Sequence, residues 1–155
     1  MIDCPFCRLA SSGTYFYENR YFFAAYNISP ILPGHSLVIP KRHVVRLADL
    51  SETETHEAMP FVINVNRILS ELFKTQDFDI SIQDGTAAGQ TVMHLHIHII
   101  PRILDDLPNA GDWYDLLYND DKRMIDSELR PKLSNEKLNA ITLKLKDVSQ
   151  KLFND

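Results

Sequence analysis

The chain has 155 residues, 45% hydrophobic and 24% charged, with a formal net charge of -5 and a pI near 5.6. That size and balance fit one soluble domain with a sizeable core. The acidic charge argues against a nucleic-acid partner but not against a small anionic ligand at a locally positive site. Neither a signal peptide nor a membrane partner is expected. Met1-Ile2-Asp3-Cys4 has no basic or apolar leader, and no stretch reaches the roughly eighteen apolar residues of a span. Both cysteines lie in one Cys-x-x-Cys, which argues for a reducing, cytoplasmic setting rather than a disulfide framework.

That motif, Cys4-Pro5-Phe6-Cys7, fits metal chelation, a redox pair or two buried bystanders. Metal leads if further ligands exist, because a redox pair wants a strand ahead of it. Thr14 to Glu18 and Arg20 to Asn27 are aromatic-rich and read as a β-hairpin. The Asn27 amide is placed to cap the turn that follows. Pro33-Gly34-His35 is a turn, and Ser36 to Ile39 is a short strand stopped by Pro40. His43 follows on a loop, either simply exposed or free to reach another element.

Ser51 and Glu54 form a capping box. The helix they start has Met59, Val62, Ile63, Leu69, Leu72 and Phe73 as its apolar face and ends before Gln76. Pro60 is expected to kink it or reset its start. Phe78 to Gln83 alternates as a strand. Asp84 to Gln90 is a turn of small residues in which Gly85 and Gly89 allow close backbone approach, so a phosphate cradle is preferred to a plain turn.

Thr91 to Ile100 is then a strand ended by Pro101, forming a hairpin with the one before. It carries His94, His96 and His98 on one face, about 6.5–7 Å apart, with Leu95, Ile97 and Ile99 turned to the core. Idle surface histidines and a pure metal site are the weaker readings. Nucleophilic or acid/base imidazole chemistry is the stronger. Beyond Arg102 the pattern weakens. Leu104 to Gly111 reads as a loop, and Trp113 to Tyr118 as an apolar cluster of one or two helical turns. Ser134 caps a last helix to about Phe153. Leu138, Ile141, Leu145, Val148 and Leu152 share one face of it, for core or dimer packing.

The run Gln83-Asp84-Gly85-x-x-Ala88-Gly89-Gln90-Thr91-Val92-x-His94-x-His96-x-His98-x-x-Pro101-Arg102, with Asn27 and Pro33-Gly34-His35 upstream, resembles the histidine triad (HIT) family. Gln83, where the phosphoramidase branch has asparagine, and Tyr114 resemble the fragile-histidine-triad branch of dinucleoside polyphosphate hydrolases. The resemblance implies an α+β fold: a five-stranded antiparallel sheet, a long helix and a C-terminal helix. The single domain spans 1–155, with a core over 1–102 and a C-terminal segment over 103–155, usually as a two-fold homodimer. It implies that His96 attacks the α-phosphorus of a dinucleoside polyphosphate and that water then releases AMP. His98, Gln83 and the backbone of Gly89, Gln90, Thr91 and Val92 hold phosphate oxygens. Asn27 binds ribose, and Phe6, Ile28, Leu37 and Ile39 wall the base. Many bacterial relatives carry a structural zinc on the positions that are Cys4, Cys7, His43 and His94 here. Phosphoramidase or phosphorylase activity on the same histidine, and a nucleotide-binding signalling module, are the alternatives.

Overall fold

In the computed structural model, which describes residues 4–109 and 130–153, the first element is a helix that the sequence pattern did not signal. This helix, α1 (Pro5–Ser12), has Pro5 at its first position, where a helix has no use for the missing N–H, and ends at Gly13. The strands are β1 (Tyr17–Glu18), β2 (Phe22–Tyr26), β3 (Ser36–Pro40), β4 (Asp77–Ser81) and β5 (Ile97–Arg102). The other helices are α2 (Glu52–Phe73) and α3 (Asn135–Phe153). The strands form one antiparallel sheet in the order β1-β2-β3-β5-β4, the α+β arrangement expected. The cluster expected at Trp113 to Tyr118, with Tyr114, lies outside the described residues.

Helices α2 and α3 cover one face of the sheet. Phe61, Val65, Ile68 and Leu145 meet Phe22, Ala24, Val38, Ile97 and Ile99 there. Each of the larger side chains, fully buried, is worth about 1.5–3 kcal/mol. On the other face α1 packs Phe6, Leu9 and Ala10 onto Phe23, Ala25, Leu37 and Ile39.

Several boundaries differ from expectation. The histidine strand begins at Ile97 rather than Thr91, because Leu95 N–H bonds Val44 O in the loop after β3 instead of joining a ladder. It then runs through Pro101 to Arg102. Pairing with β3 ends at Ile99, where β3 turns away at Gly34, so nothing on that side needs the proline's N–H. Both faces of β5 are buried, the histidine face included. Helix α2 continues through Pro60, which is exposed one turn after exposed His56, so the carbonyl left unpaired faces water. Met59 and Ile63 are exposed, and the buried stripe follows Glu54, Phe61, Val65 and Ile68. In α3, Leu152 is likewise exposed, while Thr142, Leu145 and Ser149 are buried.

Candidate functional site

Five imidazoles and one phenyl ring line the α1 face of the sheet in an unbroken row. Ring centroids stand 4.8 Å apart for His43 and His94, 4.9 Å for His96 and His98, and 5.2 Å for His35 and His98. Phe6 of α1 bridges the gap, at 5.8 Å from His94 and 5.1 Å from His96. The three histidines expected together are together, and all are buried. His35, read only as part of a turn, is buried as well. Antiparallel pairing sets Leu37 opposite His98, so His35, two residues earlier on the same face, lies diagonal to it.

Hydrogen bonds assign a separate job to each ring. His96 Nδ1 lies 2.8 Å from His94 O, an acceptor only, so Nδ1 carries the proton and Nε2 the lone pair. Ile31 N–H donates to His35 Nδ1 at 3.1 Å, which puts the His35 proton on Nε2. That proton is donated to His98 Nδ1 at 2.9 Å, so His98 carries its own proton on Nε2. In these tautomers a ring with its lone pair on Nε2 stands beside one with its proton on Nε2. Asn27 is buried beside His35, and its Oδ1 accepts Ser29 N–H at 2.9 Å, capping the turn.

Cys4, Cys7, His43 and His94 converge at the other end of the row, with their ligating atoms all within 4.8 Å of one another. The sulfur-to-nitrogen distances are 3.3 Å for Cys4 to His94, 3.4 Å for Cys7 to His43 and 3.6 Å for Cys7 to His94. A tetrahedral ion with Zn–S of about 2.3 Å and Zn–N of about 2.0 Å has an S···N edge of about 3.5 Å, so the set can hold such an ion. His94 Nε2 donates to Pro40 O at 2.9 Å, leaving Nδ1 to face the sulfurs. Burial holds His94 below the usual histidine range and, with Cys4 alongside, pushes the Cys7 thiol up.

The turn 84–90 closes on itself. Gly85 N–H bonds Gln90 Oε1 at 3.0 Å, Gln90 N–H returns to Gly85 O at 3.1 Å, and Gly89 N–H bonds Thr86 O at 3.0 Å. The Gln90 side-chain oxygen and the Gly89 and Gln90 amides are therefore engaged within the loop. Gln83 lies over Gly89, with Cγ 3.7 Å from where a Cβ would stand, and its buried Oε1 has no hydrogen-bond partner among the described residues. Thr91 is exposed and Val92 half-buried. Leu37 and Ile39, expected in a base-binding wall, are core beneath the unforeseen α1. Ile28, 45% exposed, and half-buried Phe6 are the members of that wall with surface to offer.

A sequence model described as HIT domain matches residues 9–103, which leaves the two cysteines just ahead of the match. Over 115 residues the chain is 40% identical to the bis(5'-nucleosyl)-tetraphosphatase (asymmetrical) of Schizosaccharomyces pombe, covering 74% of this chain and 61% of that one. It therefore spans about three-fifths of that relative's length. Over 121 residues it is 39% identical to the bis(5'-adenosyl)-triphosphatase of Dictyostelium discoideum, covering 78% of this chain and 76% of that one. A crystal structure of a Zn-bound histidine triad family protein from Mycobacterium smegmatis superposes with a TM-score of 0.69 at 27% identity, covering 99% of this chain and 97% of that chain. With the sheet, the row of histidines and these matches together, the chain belongs to the HIT domain family.

Proposed function

We propose that this protein cleaves dinucleoside polyphosphates, such as diadenosine tri- or tetraphosphate, through a nucleotidyl-histidine and releases a nucleoside monophosphate. The observation that carries the reading is the His96 tautomer: Nδ1–H is tied to His94 O, so Nε2 keeps its lone pair. In the first step Nε2 bonds to the α-phosphorus while the bond to the bridging oxygen breaks. The departing nucleotide leaves as an anion, since a terminal phosphate with a pKa of about 6 needs no proton at neutral pH. His98 Nε2–H hydrogen-bonds that oxygen or a neighbouring one. In the second step water bonds to phosphorus, the P–N bond breaks, neutral His96 is restored and the water's proton goes to solvent. Gln83, Thr91 and Val92 hold phosphate oxygens in this reading, and Asn27 and Ile28 stand at the nucleoside end. Gly89 and Gln90 shape the loop.

Cys4, Cys7, His43 and His94 hold a structural zinc in the same proposal. Bound there, it supplies only a fixed junction between α1, the loop after β3 and the residues before β5. A single domain, a two-fold homodimer and a cytoplasmic setting belong to the reading too. Among the described residues no helix is long and apolar enough to cross a membrane. Sedimentation tests the dimer and fractionation the location.

The deciding experiment is product analysis on diadenosine triphosphate with wild type and His96→Asn. AMP and ADP in equal amounts, an acid-labile nucleotidyl-protein in wild type and neither product nor adduct in the variant are expected. Near-normal turnover by His96→Asn removes the nucleophile assignment, and a tenfold preference for an adenosine phosphoramidate removes the substrate class.

A further inference from the structure

The segment after β3 makes contacts with the 84–90 loop that neither the metal cluster nor the histidine chemistry uses. Gln90 Nε2 donates to Val45 O at 3.0 Å, and Leu47 N–H donates to Asp84 Oδ1 at 3.1 Å. Arg46 Nε pairs with that same oxygen at 3.2 Å. The guanidinium lies directly on Gly85: a Cβ there would meet Arg46 Nη1 at 2.3 Å, and the residue's φ is +113°, a conformation other residues rarely adopt. Gly85 is in turn bonded both ways to Gln90. Arg46 thus closes over the start of the loop whose two ends Gln90 ties together, and the chain that leaves Gln90 leads within six residues to His96.

We propose that Arg46 is a positioning residue for the substrate's phosphate: through Asp84 and Gly85 it holds the 84–90 loop in the form that sets the following backbone opposite His96. The inference rests on the nucleotidyl-transfer reading of the site. Arg46 acts on the loop and not on the phosphate, because Asp84 already balances its charge. The two side chains are 52% and 36% exposed. An ion pair so open to water adds little to global stability. A surface loop opens at a far smaller free energy than the whole fold, so the same pair is sufficient to bias it. The variants follow from that chemistry. Methionine keeps the stem without the fork, lysine keeps the charge without the planar pairing, and Asp84→Asn weakens the clasp from its other side.

The test combines native-state amide exchange with kinetics on diadenosine triphosphate, using the full chain with its metal retained. In Arg46→Met the Gly85 and Gln90 amides exchange about tenfold faster while the α2 core amides do not change. KM rises about tenfold with kcat within about threefold, and Tm stays within about 2 °C. Arg46→Lys recovers part of the KM. Asp84→Asn raises KM as well, and adding it to Arg46→Met adds little, since the pair acts as a unit. Unchanged exchange at Gly85 and Gln90 overturns the clasp. Faster exchange with KM within twofold of wild type overturns the positioning role, and additive losses overturn action through Asp84. If wild type leaves diadenosine triphosphate uncut, the nucleotidyl-transfer reading alone fails. AMP affinity by calorimetry then replaces KM with the same thresholds, and a wild type that binds no AMP overturns both.

Discussion

Glu54→Gln tests how the loop that presents His43 and Arg46 is anchored. Glu54 is buried in the first turn of α2, with its side chain 6% exposed, and takes two hydrogen bonds from Arg42, at 3.0 and 2.6 Å. It also accepts Ser51 N–H at 2.8 Å. The Arg42 guanidinium, more than the Ser51 contacts, pulls the Glu54 carboxyl from 4.5 down to about 2, against a desolvation that pushes it up. At about 1.4 kcal/mol per pH unit the upper bound on its contribution is about 3–4 kcal/mol. Arg42 is 53% exposed, so water and salt screen the pair, and about 1–2 kcal/mol is expected at pH 7. Because the folded pKa is depressed, this stability is fully present above pH 4.5 and is lost as pH falls toward 2. Urea unfolding of both proteins at pH 7, 5, 4 and 3 measures it, and comparison at each pH cancels the titrations they share. The expected difference is constant from pH 7 to 5 and less than half as large at pH 3. A difference under about 0.5 kcal/mol at pH 7, within the range of ordinary surface substitutions, refutes the argument. So does one that persists undiminished at pH 3.

Replacing His35 with leucine removes the donor that fixes the His98 tautomer, and kcat for diadenosine triphosphate should fall about tenfold or more while His96 still forms its adduct. Gly34→Ala places a Cβ 2.6 Å from Pro101 Cγ at a φ of +91°, and calorimetry should show a loss of about 2–4 kcal/mol. One equivalent of zinc should raise the Tm of chelator-treated wild type and leave Cys4→Ser unmoved; equal response from both removes the metal assignment.

Much of the fold and site was legible because it rests on local chemistry. The Ser51–Glu54 box and the β1–β2 and β4–β5 pairs follow from caps, alternation and turns. The three histidines were legible by their spacing, and the metal set through the family resemblance. What escaped the sequence depends on partners far along the chain. An eight-residue α1 has too few turns for periodicity, yet it covers Leu37 and Ile39 and brings Phe6 against His96. Met59 and Ile63 look like core by composition, but the stripe set by Phe61, Val65 and Ile68 turns them outward. His35 becomes part of the site only through the β3–β5 register, which no single segment specifies.

His94 ties the cysteine–histidine cluster to His96. Its ring Nδ1 faces the two thiols, and its Nε2 is fixed by Pro40 O. Its backbone carbonyl accepts the Nδ1–H of His96. An ion held by that ring would also hold the peptide group that sets the His96 tautomer. His94 and His96 lie just before the first paired residue of β5. Strand pairing fixes His98, which lies opposite Leu37 and Ser81. Just before it, Leu95 is held by Val44 O, and His94 is held by Pro40 O beside the two thiols.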